Sequence, residues 1–268
     1  MKTILAGTDF TSSSLNACRY AALLAQKSNC KLTVFNLFLA PVLHSNSGLY
    51  GISYASVKKT SETRISKLIE KLLAEFPGLK INALATSGAF EDELAAFLGR
   101  HKIECVVMGL ESKSRISKFI WGSHGVKIAG KIETPVIIVP EKYRVHKINT
   151  ILLAVDNAEK LHTTSLKNVE KFAEACKSVI KPLHIRTPDE VIVAAKNSWL
   201  KLNGEKKEVE VFKSNNIESG LKKYCLAEKT DLVAVISKKH SVVYNLFNES
   251  VTKRVAFAAR VPVMAIHE

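Results

Sequence analysis

Asp9 ends an apolar run, Ile4-Leu5-Ala6-Gly7-Thr8-Asp9, and Gly109 ends another, Glu104-Cys105-Val106-Val107-Met108-Gly109. A dipeptide of glycine and serine, Gly122-Ser123, follows thirteen residues after Gly109. A carboxylate at the C-terminus of a strand can meet a sugar hydroxyl or cap the helix that follows, and both readings are open for Asp9. A glycine at the end of a strand lets a backbone come close to a phosphate, or simply ends the strand; both are open for Gly109. Ser123 can offer a hydroxyl to a ligand, or act as N-cap of a helix over 123–131. His124 sits in the first turn of that helix, with no nucleophile and oriented acid to pair with.

Several chemistries are excluded by what is missing. The phosphate loop G-x-x-x-x-G-K-[S/T] is absent, as are G-x-G-x-x-G after the first strand and the nucleophile elbow G-x-S-x-G. The eight histidines have no metal-ligand spacing. The five cysteines, Cys18, Cys30, Cys105, Cys176 and Cys225, include no C-x-x-C pair and fall in apolar contexts, which predicts buried free thiols in a reducing cytoplasm. No run is apolar for the ~18 residues of a membrane span, and no signal peptide is visible, so the expected location is cytoplasmic. The net charge of +14 suits a polyanion or phosphate ligand. The lysines are dispersed rather than blocked, however, so solvated helix faces explain them better and nucleic acid is the poorest reading.

The elements that must position these residues occur twice. Ile151-Leu152-Leu153-Ala154-Val155-Asp156 repeats the opening strand, and Val261-Pro262-Val263-Met264-Ala265-Ile266 repeats Thr134-Pro135-Val136-Ile137-Ile138-Val139. Two such copies mean tandem domains, 1–141 and 148–268, joined by the polar linker Glu141–Lys147. The offset falls from 147 at the first strand (156 − 9) to 127 at the last (262 − 135), so the second copy has lost 20 residues from its middle. Strands are expected at 3–8, 31–38, 79–85, 104–109 and 135–140, with helices at 13–28, 56–75 and 89–101 between them. In the second copy strands are expected at 149–155, 179–185, 208–212, 231–236 and 261–267, and helices at 160–177, near 189–201, at 217–228 and at 249–259. Short continuous apolar strands alternating with amphipathic helices predict a parallel, doubly wound sheet. Ser12 or Ser13 is the expected cap of the first helix.

This ordered set, present in both halves, resembles the universal stress protein family over essentially the whole chain. The resemblance implies two Rossmann-like domains of the adenine nucleotide alpha hydrolase type, each a five-stranded sheet of order 3-2-1-4-5. It also implies that the domains pair inside one chain, with strands 135–140 and 261–267 side by side. Family members that bind ATP share a loop of form G-x-x-G, nine residues, then G-[S/T]. Here the matching positions are Gly109, Ser112, Gly122 and Ser123, with serine in place of the second glycine. Gly7, Asp9, Leu37, Met108 and His124 complete the expected adenine nucleotide site, with backbone groups of Leu37 facing the base. In the second copy the loop positions are Ile236, Lys239, Glu249 and Ser250, so ATP or a related nucleotide is expected in the first domain only. The loop over 39–55, with Tyr50, Gly51 and Tyr54, is either a lid over the site or a plain insertion. The resulting expectation is a non-catalytic regulatory or binding protein with an unidentified protein partner. Two alternatives stand beside it: a nucleotide-independent interaction module and a slow nucleotide hydrolase.

Overall fold

The computed structural model describes residues 2–40, 53–111, 132–155, 163–188, 199–237 and 260–267. The strands are β1 (Thr3–Gly7), β2 (Lys31–Leu37), β3 (Ile81–Thr86), β4 (Ile103–Leu110) and β5 (Val136–Pro140), then β6 (Thr150–Ala154) and β7 (Val179–Arg186). After β8 (Trp199–Leu202) and β9 (Glu205–Glu208) come β10 (Glu210–Lys213), β11 (Leu232–Ser237) and β12 (Val263–His267). The helices are α1 (Ser12–Lys27), α2 (Tyr54–Glu75), α3 (Phe90–Arg100), α4 (Thr163–Cys176) and α5 (Ile217–Ala227). Ten strands form one sheet in the order β10-β7-β6-β11-β12-β5-β4-β1-β2-β3. Each half therefore repeats the order 3-2-1-4-5 with parallel pairs, and the fold is α/β with a mostly parallel central sheet, as expected. Among the described residues, the one antiparallel junction within this ten-stranded sheet is β5 against β12, with Val263 opposite Ile138 and Ala265 opposite Val136. The helices expected over 123–131 and 249–259 lie outside the described residues, as does most of the 39–55 loop.

The periodicities act as their physics requires. Cys18, Ala21, Ala22 and Ala25 of α1 are fully buried, and small residues on that stripe let α1 lie close to the sheet. Val106, Val107, Ile137 and Ile138 are covered on both faces of the sheet, as continuous apolar parallel strands are. All five cysteines are free and buried.

Two local expectations are corrected. The residue that caps α1 is Thr11, whose side chain accepts from Ser14 N, rather than Ser12 or Ser13. The segment near 189–201 does not continue as helix to its end: Trp199–Leu202 is strand, paired antiparallel with Glu205–Glu208, while 189–198 lies outside the described residues. This hairpin turns on Asn203 (φ 49°) and Gly204 (φ 86°), the left-handed pair that a two-residue Asn-Gly turn needs. It buries Leu200 and Leu202 in the same core cluster that Ile65, Leu68 and Leu72 of α2 join in the first half. Gly204→Ala would force a side chain into a left-handed turn and should cost about 1 kcal/mol, read as a small drop in the midpoint of chemical denaturation. The polar linker expected over Glu141–Lys147 docks against the first half. Tyr143 is buried, and the Asn16 amide donates to the carbonyls of Pro140, Glu141 and Tyr143.

Candidate functional site

In the first half the chain runs outward from β1 through β2 to β3, then crosses back to place β4 on the other side of β1. The strand order reverses between β1 and β4, and in open α/β sheets the crevice at the C-terminal ends of such strands is where ligands sit. Ala6 pairs with Val107 and Gly7 with Phe35, so Gly7, Asp9, Met108 and Gly109 all come to that crevice. Leu37 reaches it from the other flank. Along β2, Leu32 and Phe38 donate to Lys80 and Thr86 on the β3 side, whereas Phe35 accepts from Thr8 N on the β1 side. Backbone groups alternate along a strand, so Leu37, two residues beyond Phe35, turns its N–H and C=O toward the space above the end of β1. Ser112, Gly122, Ser123 and His124 lie outside the described residues.

Beyond β1 the chain makes a tight, polar turn. Thr8 is fully buried; its hydroxyl accepts from Phe10 N at 3.0 Å and meets Ser14 Oγ at 3.1 Å. Asp9 Oδ1 accepts from both the backbone N–H and the hydroxyl of Thr11, at 3.0 and 2.6 Å. Asp9 therefore does hold the start of the following helix, one step removed from the cap itself. Phe10 has φ 65°, a left-handed conformation that side chains rarely adopt, and the Arg64 guanidinium lies 4.0 Å from its ring centroid. Arg64 comes from α2, which has no counterpart among the described residues of the second half.

A residue that pattern reading missed organises the crevice. Asn36 is buried; its amide donates to Thr8 O at 2.7 Å, and its carbonyl oxygen accepts from the Ser61 hydroxyl at 2.5 Å. It thus ties the end of β1 to α2. In the second half Val155 N donates to Leu183 O as Thr8 N does to Phe35 O, both at 2.8 Å. His184 occupies the place of Asn36, with Nδ1 3.0 Å from Val155 O. A ring nitrogen facing a carbonyl must carry the proton, so Nδ1 donates and the tautomer is set. The signal in the sequence was a polar residue inside an apolar strand, at equivalent positions of both copies.

Gly109 has a structural reason of its own. A Cβ there would fall inside the backbone of Ser13, with Ser14 N 2.7 Å away. The glycine admits the first turn of α1 against β4, whatever else it admits.

The electrostatics of the mouth were not legible in the motif. Glu111 follows β4, and its carboxyl feels the charges of Asp9, which follows β1, and of Glu141, which follows β5. Partial burial, then Asp9, then Glu141 push the Glu111 carboxyl above its ordinary value of 4.5. A carboxyl raised in the folded state stabilises the fold at low pH, and that contribution is lost as pH rises through its folded value. Glu111→Gln should match the parent protein in stability below pH 4.5 and exceed it progressively above. Denaturation midpoints of both proteins between acid and neutral pH check the direction. The same change should tighten an anionic ligand several-fold at neutral pH by removing a like charge.

The sequence profile of the universal stress protein family matches residues 1–140. The chain belongs to that family. Over 140 residues it is 23% identical to a universal stress protein of Methanocaldococcus jannaschii, a span of 52% of this chain and 81% of that protein. Among solved structures it is similar to a universal stress protein of Archaeoglobus fulgidus, with TM-score 0.68 and 15% identity, covering 99% of this chain and 98% of that one. It is also similar to a putative universal stress protein of Pseudomonas aeruginosa, with TM-score 0.55 and 8% identity over 100% of this chain and 93% of the other. At such identities the likeness to the solved structures is one of fold. Among the described residues no helix is long and apolar enough to cross a membrane, and no group of His, Cys, Asp and Glu is placed to hold a metal ion.

Proposed function

We propose that this universal stress protein is a non-catalytic regulatory protein whose first half, 1–141, binds one adenine nucleotide, while 148–268 is a partner domain paired with it inside the chain. The observation that carries the reading is the convergence at the β1–β4 switch point. Backbone groups of Leu37 turn toward the space above β1, where they would meet a base, Asp9 follows the end of β1, where it would meet a ribose, and Ser112, Gly122, Ser123 and His124 follow β4 in the chain. Two further facts support confining the ligand to the first half. Among the described residues of the second half none forms a counterpart of α2, which supplies Ser61 and Arg64, and its loop positions are Ile236, Lys239, Glu249 and Ser250.

The competing reading, an interaction module that takes no nucleotide, draws on the three carboxylates at the mouth and on Thr11 occupying Asp9 Oδ1. Calorimetric titration with ATP separates the two. Nucleotide binding in the first half gives one site per chain. Ser112→Gly then tightens it several-fold, because a glycine relieves the strain of a phosphate-cradling backbone, about 1 kcal/mol. Two sites per chain would sink the asymmetry. No binding by either form, with the fold intact, would leave the interaction module. The small molecules released when the purified protein is denatured supply the independent check.

A further inference from the structure

A second cavity lies on the seam between the halves, at the opposite end of the first-half strands from the crevice. It opens between α1 and α4 and measures about 110 Å³. Ile4, Leu24, Phe172 and Met264 give it apolar walls, drawn from β1, α1, α4 and β12. Cys30, Cys105 and Cys176 bring three thiols to the same wall. Burial pushes the Cys176 thiol up to about 11 and the Cys105 thiol well up, so at neutral pH both are uncharged. Such thiols pack as small hydrophobes, and among the described residues no metal-holding group forms.

The mouth is different in kind. Lys2 and Glu104 pair across it at 3.1 Å, and Lys171 and Asn168 of α4 stand at its edge. Two lysines face one glutamate, so the rim carries a net positive charge, and Asn168 adds an amide donor. The interior has no charge to offer. An apolar cavity of about 150 Å³ takes up a benzene ring, and this one is somewhat smaller but open at its rim. A nucleotide is far too large and polar for it.

We propose that this cavity binds a small amphipathic monocarboxylate, with an aryl or short alkyl body inside and the carboxylate at Lys171 and Asn168. Because its walls come from both halves, the ligand stabilises their pairing by mass action. The site stands apart from the nucleotide crevice and does not depend on that assignment.

The chain has three methionines, Met1, Met108 and Met264. Met264 lines the cavity, while Met108 packs in the core on the other face of the sheet. In protein carrying ¹³C-methyl methionine, 3-phenylpropionate should shift the Met264 methyl resonance, leave Met108 in place and bind in the millimolar range or tighter, as ligands of this size do. The amine of the same body, 3-phenylpropylamine, should bind about tenfold more weakly because the rim repels it. Lys171→Glu, on an exposed helix face, should reverse that order, and Ala175→Phe should fill the cavity and abolish the shift. If Ala175→Phe does not fold, the charge reversal still decides. Acid and amine binding equally, a shift at Met108 without one at Met264, or no shift at any soluble concentration of the acid would each overturn the proposal.

Discussion

Gly109→Ala should destabilise the protein by about 3 kcal/mol, the upper end of the usual penalty for overpacking, and lower its melting temperature by roughly 6–12 °C. The neighbours of the added methyl are the Ser13 carbonyl and Ser14 N, backbone atoms of the first turn of α1. A flexible side chain could swing aside, whereas here the helix itself must move. That helix is anchored by the buried stripe of Cys18, Ala21, Ala22 and Ala25, so it has little room to retreat. The measurement is thermal unfolding followed by circular dichroism, with Gly78→Ala as the comparison. Gly78 meets nothing within 4 Å but has φ 79°, so its substitution should show only a left-handed strain of about 1 kcal/mol. Equal effects at the two sites would mean that the α1–β4 approach is not what requires Gly109. The result bears on function as well. A glycine demanded by packing is present whether or not a phosphate follows it, so its presence alone says little about a ligand.

Tyr143→Ala should be of similar size, about 3–5 kcal/mol, as for other buried aromatic truncations. The Tyr143 ring packs edge-on against Tyr20 of the first half, with centroids 5.9 Å apart. Its hydroxyl donates to Asp231 O, at the start of β11 in the second half, at 3.2 Å. Asp231 in turn accepts the backbone N–H groups of Asn149 and Thr150 at 2.7 and 3.0 Å, holding the entry to β6. This side chain thus bridges α1 and the second half, alongside the β5–β12 ladder. Its removal should also split unfolding into two steps. Trp121 and Trp199 are the two tryptophans, one in each half, so fluorescence of single-tryptophan forms reports each half separately. Coincident transitions in the parent and separated ones in Tyr143→Ala are the expected outcome. Tyr143→Phe keeps the ring and should lose only about 1 kcal/mol, the net worth of one hydrogen bond. Coincident transitions in Tyr143→Ala, with little loss of stability, would show that the seam is held elsewhere.

The order of strands in each half came with the family resemblance, whereas the sequence by itself determined the repeat and the alternation of strand and helix. These follow from apolar periodicity and from chain order, both of which are local or nearly so. Asn203-Gly204 is a turn signal present in the chain, but the hairpin it makes stands where a helix near 189–201 was expected to end. The position of the candidate crevice was also legible, because strand ends at a switch point follow from topology. Only the tertiary structure decided what those positions do. Asp9 could be a sugar ligand or the anchor of a helix until Thr11 was found on its Oδ1. Asn36 is one polar residue in an apolar strand, and only the fold puts Thr8 O and Ser61 at its two ends. The repulsion of Glu111 by Asp9 and Glu141, the seam bridged by Tyr143, and the thiol-walled cavity bring together residues tens to more than a hundred positions apart. Hydrogen bonds, charge repulsion and close packing act over a few ångströms of space. Which groups come within that range is decided by how β1, β4 and β5 are laid beside one another and how β12 is laid against β5.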